Sequence, residues 1–426
     1  MSDEPTRPTA DLVIVDATLR GLSGRASVAV RDGRILAVSA TEPAPRAAEV
    51  IDAGGGLVLP SFADAHLHVC KAHTFAAAGD GAVDLYTGEA MAGAAAAVDR
   101  AAAVKSRYET DWNADNARRA LAAGLRHGVT RVLAFADTDT AAGLHGVRGA
   151  LRARDEFAGL VTAKVVAFPQ DGIVRDPGAA GLVEQALGLG ADVVGGIPWI
   201  EDGEAAQKAH IDRMVALAVD SGRDVAMLTD DAADPRLRTT EWLARALVAR
   251  GWEGRGVACH ARALGAYTPE RFAQVLPIVR DAGLRFVTDP HTGAAFLRAL
   301  ELREAGVPVA IGQDDIADAY YPFGQHNLLE VAFLAAHLWR RFDLPTLEAL
   351  LDLVTTEAHR VLDGSTVGIE PGAAADLVVL GESDAVEVLR RHAPPRVVLR
   401  DGRVVVRSTE QVTFAPEVPD VPLERH

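Results

Sequence analysis

Between residues 57 and 354 short apolar runs alternate with longer amphipathic ones. The short runs cover 57–68, 130–135, 161–168, 193–197, 224–228, 256–260, 285–289 and 307–312. They are rich in Val, Ile, Leu and Phe, with the length and composition of buried strands. The segments between them carry apolar residues at helical spacing: 92–107 with 112–127, then 141–156, 181–189, 205–220, 239–250, 269–282 and 294–305. Two further helices, 327–341 and 344–354, follow the last strand. Several of these helices stop at a glycine (Gly128, Gly190, Gly222, Gly283, Gly306), the residue that most readily takes the left-handed cap. Eight strands alternating with helices predict an α/β fold, a closed (β/α)8 TIM barrel, with a doubly wound open sheet as the alternative.

The two ends of the chain have a different texture. Short strands at 11–15, 26–31, 34–38 and 50–52 are punctuated by Asp32-Gly33, and strands at 375–380, 396–400 and 403–407 by Asp401-Gly402. Both dipeptides signal tight hairpins. The two clusters are expected to pair into one small β-sandwich module. The predicted organisation is therefore residues 1–56 as the first half of that module, 57–364 as the barrel and 365–426 as the second half with a Pro- and Glu-rich trailing arm. Residues 1–9 read as a polar tail.

Hydrophobic residues make up 49% of the 426, enough for a large core, which excludes wholesale disorder. The net charge of −16 argues against nucleic-acid or anionic-membrane partners, which need clustered Lys and Arg. A small-molecule substrate is unaffected by that argument. Two cysteines, Cys70 and Cys259, leave no disulfide framework and suit a reducing compartment. The first residues contain no apolar stretch of signal-peptide type, so a cytoplasmic location is expected.

The chemistry is predicted at the strand ends, because a parallel barrel gathers its reactive groups at the C-terminal rim. The first strand ends in His66-Leu-His68, and residues two apart on a strand share a face. The other ends read Phe135-Ala-Asp137, Phe168-Pro-Gln170, Ile197-Pro-Trp199, Leu228-Thr-Asp230-Asp231, Cys259-His260, Asp289-Pro-His291 and Gly312-Gln-Asp314-Asp315. Helix caps account for some of these polar residues but not readily for His66, His68, His260, Gln170 and Asp314 together.

A Pro-x-Phe-x-x-x-His-x-His first strand, a late Gly-x-Asp-Asp and a split β-module resemble the amidohydrolase superfamily. Within it, Ala167–Gly172, Gly190–Pro198 and Asp314-Asp315 followed by Tyr321-Pro322-Phe323-Gly324 resemble the cytosine deaminase branch. His66, His68 and Lys71 also resemble the His-x-His-x-x-Lys of N-alkylammelide amidohydrolases. The resemblance implies one divalent metal ion (Zn, Fe or Mn) held by His66, His68 and Asp314, with His260 orienting the activated water. It implies that Asp314 also takes the water's proton, that Gln170 binds an amide-like edge and that Lys71 contacts the substrate or leaving group. It further implies a homo-oligomer. The implied reaction is hydrolysis of a C–N bond, most simply deamination of a pyrimidine- or triazine-like heterocycle. Cleavage of a cyclic amide or an N-alkyl group is the variant.

The fifth strand departs from that pattern. Leu228 stands where the resembled family places a metal-binding His, and Asp231 where it places a proton-shuttling Glu. Either His260 joins the metal ligands beside His66, His68 and Asp314, or Asp230 supplies an oxygen, or the barrel has lost its metal and binds a heterocycle without hydrolysing it. Asp231, Lys71 or Asp230 is left to protonate the departing nitrogen. Trp199 and Asp315 complete the expected substrate contacts.

Overall fold

The computed structural model describes residues 10–78 and 101–415. The predicted tail at 1–9, the 92–100 part of the first predicted helix and the 416–426 part of the trailing arm lie outside the described residues.

The predicted barrel is present. Its eight strands are β6 (Phe62–His68), β7 (Val129–Asp137), β8 (Thr162–Phe168), β9 (Val193–Gly196), β10 (Asp224–Thr229), β11 (Gly256–His260), β12 (Arg285–Thr288) and β13 (Val309–Ile311). They pair in chain order, each parallel to the next. Helices between the strands cover the outside, and the two faces of the sheet feed two cores. Ala63, Leu133, Phe135, Val166, Phe168, Leu228, Cys259 and Val287 fill the interior. A larger apolar shell lies between sheet and helices. The helix Thr356–Asp363, which the apolar pattern did not predict, adds Ala358, Val361 and Leu362 to the interior cluster.

The cylinder closes at β6 and β13. There Leu67 bridges Asp314, the His68 amide donates to the Asp314 carbonyl at 2.8 Å, and the Asp314 amide donates to the His66 carbonyl at 2.8 Å. The last strand is thus stitched to the first through the very residues expected to carry chemistry.

The remaining strands form two four-stranded sheets. One contains β1 (Ala10–Ala17), β2 (Ala26–Arg31), β3 (Arg34–Ser39) and β4 (Ala47–Asp52). The other contains β5 (Val58–Pro60), β14 (Leu377–Val379), β15 (Val397–Arg400) and β16 (Arg403–Arg407). Their inner faces share one apolar layer, including Leu12, Ile14, Val28, Ile35, Val58, Leu377 and Leu399. The run at 57–68, expected as one strand, is divided. Val58–Pro60 pairs antiparallel with β14, and the chain enters the barrel at Phe62, whose amide donates to the Gly128 carbonyl. Pro60, which lacks an N–H and fixes its φ, sits at the handover. Among the described residues no helix is long and apolar enough to cross a membrane.

Candidate active site

Strict alternation along β6 would point His66 and His68 away from the interior, because Ala63 and Ala65 belong to the inner cluster. The register with β7 breaks between Asp64 and Leu67, and Leu67 packs into the outer shell instead. A bulge of this kind re-aims side chains. Here it turns both imidazoles inward, and Asp64 staples it by accepting from the His66 amide at 3.0 Å and the Gln313 amide at 3.2 Å. His260 and Asp314 are turned differently. Both lie in the left-handed backbone region, at φ 65° and 64°, where non-glycine residues are uncommon and tend to mark functional sites. Cys259 faces the interior core, so it is this twist that lets the next residue, His260, reach the same cavity.

Four predicted residues meet as a result. Asp314 Oδ1 is 3.0 Å from His66 Nε2 and 3.7 Å from His68 Nε2. The His66 ring centre is 4.9 Å from that of His68 and 5.0 Å from that of His260. All four are buried. One neighbour was missed as a functional residue: Asp289, at the end of β12. His66, His260, Asp289 and Asp314 each offer a ligand atom within 4.8 Å of the others. Asp289 Oδ1 is 2.8 Å from His260 Nδ1, and its Oδ2 is buried without a hydrogen-bond partner. Its polar character at a strand end was the only signal in the sequence.

Leu228 faces the interior core at 4% exposure and supplies no ligand. Asp230 does not replace it. Its carboxylate accepts from the amides of Thr239 and Thr240 at 2.6 and 3.0 Å and from the Thr239 hydroxyl at 2.6 Å, at the start of the helix Thr239–Ala249. We expect Asp230→Ala to cost about 2 kcal/mol of stability, the upper range for a lost helix cap, measurable by urea unfolding. Of the two substitutes, His260 is the one that offers a ring nitrogen within 4.8 Å of the ligand atoms of His66 and Asp314.

The residues expected to contact substrate gather beside this cluster. Lys71 Nζ lies 3.1 Å from Asp315 Oδ1, donates to Gln170 Oε1 at 3.3 Å, and sits 4.0 Å over the Tyr320 ring. Asp231 places Oδ2 3.9 Å from His260 Nε2. Trp199, half-buried, packs against the interior cluster and leaves its buried indole N–H without a partner. Cys70 is buried among Val104, Tyr108 and Ala142 and accepts from the Asp137 amide, a packing role.

The loop carrying Gln170 is anchored on both sides. Lys105 donates to Asp171 Oδ1 at 2.6 Å, and Glu201 accepts from the amides of Ile173, Val174 and Arg175 at 2.7 to 3.0 Å. Glu201 also accepts from His210 Nδ1 at 2.8 Å, while His210 Nε2 accepts from the Ile197 amide. That pattern fixes His210 as the neutral Nδ1–H tautomer.

The electrostatics suit a cation. Burial opposes a charge on His260, but Asp231, Asp289 and Asp314 outweigh it and push its pKa up to about 9. Burial also opposes ionisation of Asp314, yet His260, His66 and His68 hold it well below the usual carboxylate range. His68 is driven well below the ordinary imidazole value, first by burial and then by Lys71, so it stays neutral, as a metal ligand must. Neutral imidazole next to ionised carboxylates, in a field that calls for positive charge, fits a divalent transition metal.

The model of the amidohydrolase family matches residues 49–406, and the chain belongs to that family. It is 27% identical over 410 residues to N-isopropylammelide isopropyl amidohydrolase of Pseudomonas sp. strain ADP, covering 93% of this chain and 98% of that protein. It is 29% identical over 411 residues to the pterin deaminase of Rhizobium rhizogenes, covering 90% and 88%. The structure of 5-methylcytosine deaminase from Klebsiella pneumoniae superposes with a TM-score of 0.85 at 26% identity, covering 95% and 99%.

Proposed function

We propose that the protein is a metal-dependent hydrolase that deaminates a nitrogen heterocycle of pyrimidine or triazine type. The observation that carries this reading is the convergence of the His66, His68 and His260 imidazoles on the Asp314 carboxylate, at the rim where Lys71, Gln170 and Asp315 also meet. His66, His68, His260 and Asp314 would hold the ion, with Asp289 fixing the His260 ring. Such an ion lowers the pKa of a water it holds from about 15.7 toward about 7.

The protein's own groups supply the rest. Asp314 would accept the proton released from water, while His260, its Nδ1 on Asp289, would serve as a ligand and not as the water's partner. Gln170 offers both a donor and an acceptor, which suits the –CO–NH– or –C(NH2)=N– edge of a heterocycle. The departing nitrogen needs a proton, because an amide or amine anion is a very poor leaving group. Asp231 is held by Arg262 Nε at 2.5 Å as an acceptor, so Lys71, paired with Asp315, is the better placed donor. Removal of an N-alkylamine or opening of a cyclic amide uses the same groups. The likeness to N-isopropylammelide amidohydrolase favours keeping the first of these as the second reading. The protein would work in the cytoplasm, as a homo-oligomer.

The test combines metal analysis with product analysis. Purified protein should carry about one equivalent of zinc, iron or manganese, and His66→Ala should lose both the metal and turnover. Ammonia release over a panel of aminopyrimidines, aminotriazines and pteridines should identify the substrate. Amine release from an N-alkylammelide without ammonia would select the second reading. A protein that binds these rings without metal and without hydrolysis would overturn both.

A further inference from the structure

We propose that Arg262 is the positioning residue that lets this barrel work without an imidazole on β10, an inference that rests on the metal-hydrolase reading. Arg262 lies two residues beyond β11 and is 5% exposed. Its guanidinium joins three rim loops. It donates to Asp231 Oδ1 at 2.5 Å in the loop after β10, and to Asp289 Oδ1 at 2.9 Å, the Thr292 hydroxyl at 2.9 Å and the Ala295 carbonyl at 3.2 Å in the loop after β12. The backbone is built around it. A Cβ on Gly293 would stand 2.5 Å from the guanidinium carbon, so a side chain there would push the group out of this position.

The two carboxylates that Arg262 holds are the two that flank His260. Asp289 Oδ1 takes the Nδ1 side at 2.8 Å, and Asp231 Oδ2 stands 3.9 Å from Nε2. One planar fork therefore fixes both walls of the slot in which the imidazole stands. Histidine ligands are typically oriented by a carboxylate on the ring nitrogen remote from the metal. Here that carboxylate is itself locked by an arginine. Leu228 leaves His260 as the imidazole that must complete the ligand set, and a ring on a left-handed backbone at φ 65° needs such external support to keep one orientation. Lysine could supply the charge but not the fork, since a single ammonium does not present paired, planar donors to two separate carboxylates.

The test uses the purified full chain with zinc alone as the probe of the ligand set, comparing Arg262→Met and Arg262→Lys with the unsubstituted protein. Both variants should bind zinc about 10- to 100-fold more weakly, as is usual when an outer partner of a metal-binding histidine is lost. Both should lose kcat by a comparable factor, with KM changed less than kcat. Wild-type zinc affinity and kcat in Arg262→Lys would show that charge alone suffices and would overturn the proposal. So would a lowered melting temperature in Arg262→Met with zinc affinity intact. If Arg262→Met does not fold, Arg262→Lys decides alone. Failure of the unsubstituted protein to bind zinc, iron or manganese would instead bring down the metal reading, and this inference with it.

Discussion

Asp314→Asn should lower kcat by about 10³-fold and weaken metal retention in the same preparation. A general base at the reacting water is worth about 10² to 10⁴ in rate, and asparagine cannot take the proton. The change also removes the anion that His66 and His68 face at 3.0 and 3.7 Å. The fold should survive, because the bonds that close the barrel at this position use the backbone amide and carbonyl of residue 314. Activity and bound metal should therefore fall while circular dichroism and the unfolding midpoint change little. Retention of more than about a tenth of the wild-type kcat would sink the assignment of Asp314 as base.

Glu201→Ala should cost stability instead, by about 3 to 5 kcal/mol, because each buried donor left without a partner costs about 1 to 3 kcal/mol. The substitution leaves the Ile173 amide and the His210 Nδ1–H buried without a partner, and it releases the amides of Val174 and Arg175, whose residues are exposed. Acid should produce the same effect in the unsubstituted protein. Burial would raise the Glu201 pKa, but the bonds from His210 and the Val174 and Ile173 amides overrule it and take it down to about 2. A carboxyl depressed in the folded state stabilises above its unfolded pKa, and that contribution disappears as pH falls from about 4.5 to about 2. His210 adds an earlier loss. Burial lowers its pKa despite Glu201, so below about 6.5 the unfolded chain takes up a proton that the folded one resists. Urea unfolding at a series of pH values should show the gap between wild type and Glu201→Ala shrinking toward acid. A gap independent of pH from 7 to 3 would refute the account. Because this carboxylate secures the loop after Gln170, KM should also rise in the variant.

Much of this was legible in the sequence because it is written in local patterns. Strand–helix alternation is a periodicity, and a parallel barrel forces strand ends to one rim, so His66, His68, Gln170, His260 and Asp314 could be gathered by counting. What was hidden depends on contacts between distant segments. Pro60 reads as part of one apolar run until β14 is present to pair with Val58–Pro60. The helix Thr356–Asp363 is too short to show a period convincingly, and the packing of its Ala358, Val361 and Leu362 against the barrel interior is a tertiary fact. Asp230 and Asp231 look equivalent in sequence. One caps a helix and the other faces His260, because Thr239 and Thr240 compete for the first. Nothing near Arg262 in the chain announces that it spans loops belonging to three strands.

The stitch between the first and last barrel strands gives the molecule an all-or-nothing character. Any breathing that unzips the cylinder at that point would also scatter the groups proposed to handle water, since His66, His68 and Asp314 supply both the backbone rungs and those side chains. A molecule with its rim breached is silent even if every helix stays in place, so turnover doubles as a gauge of how completely the ring has shut.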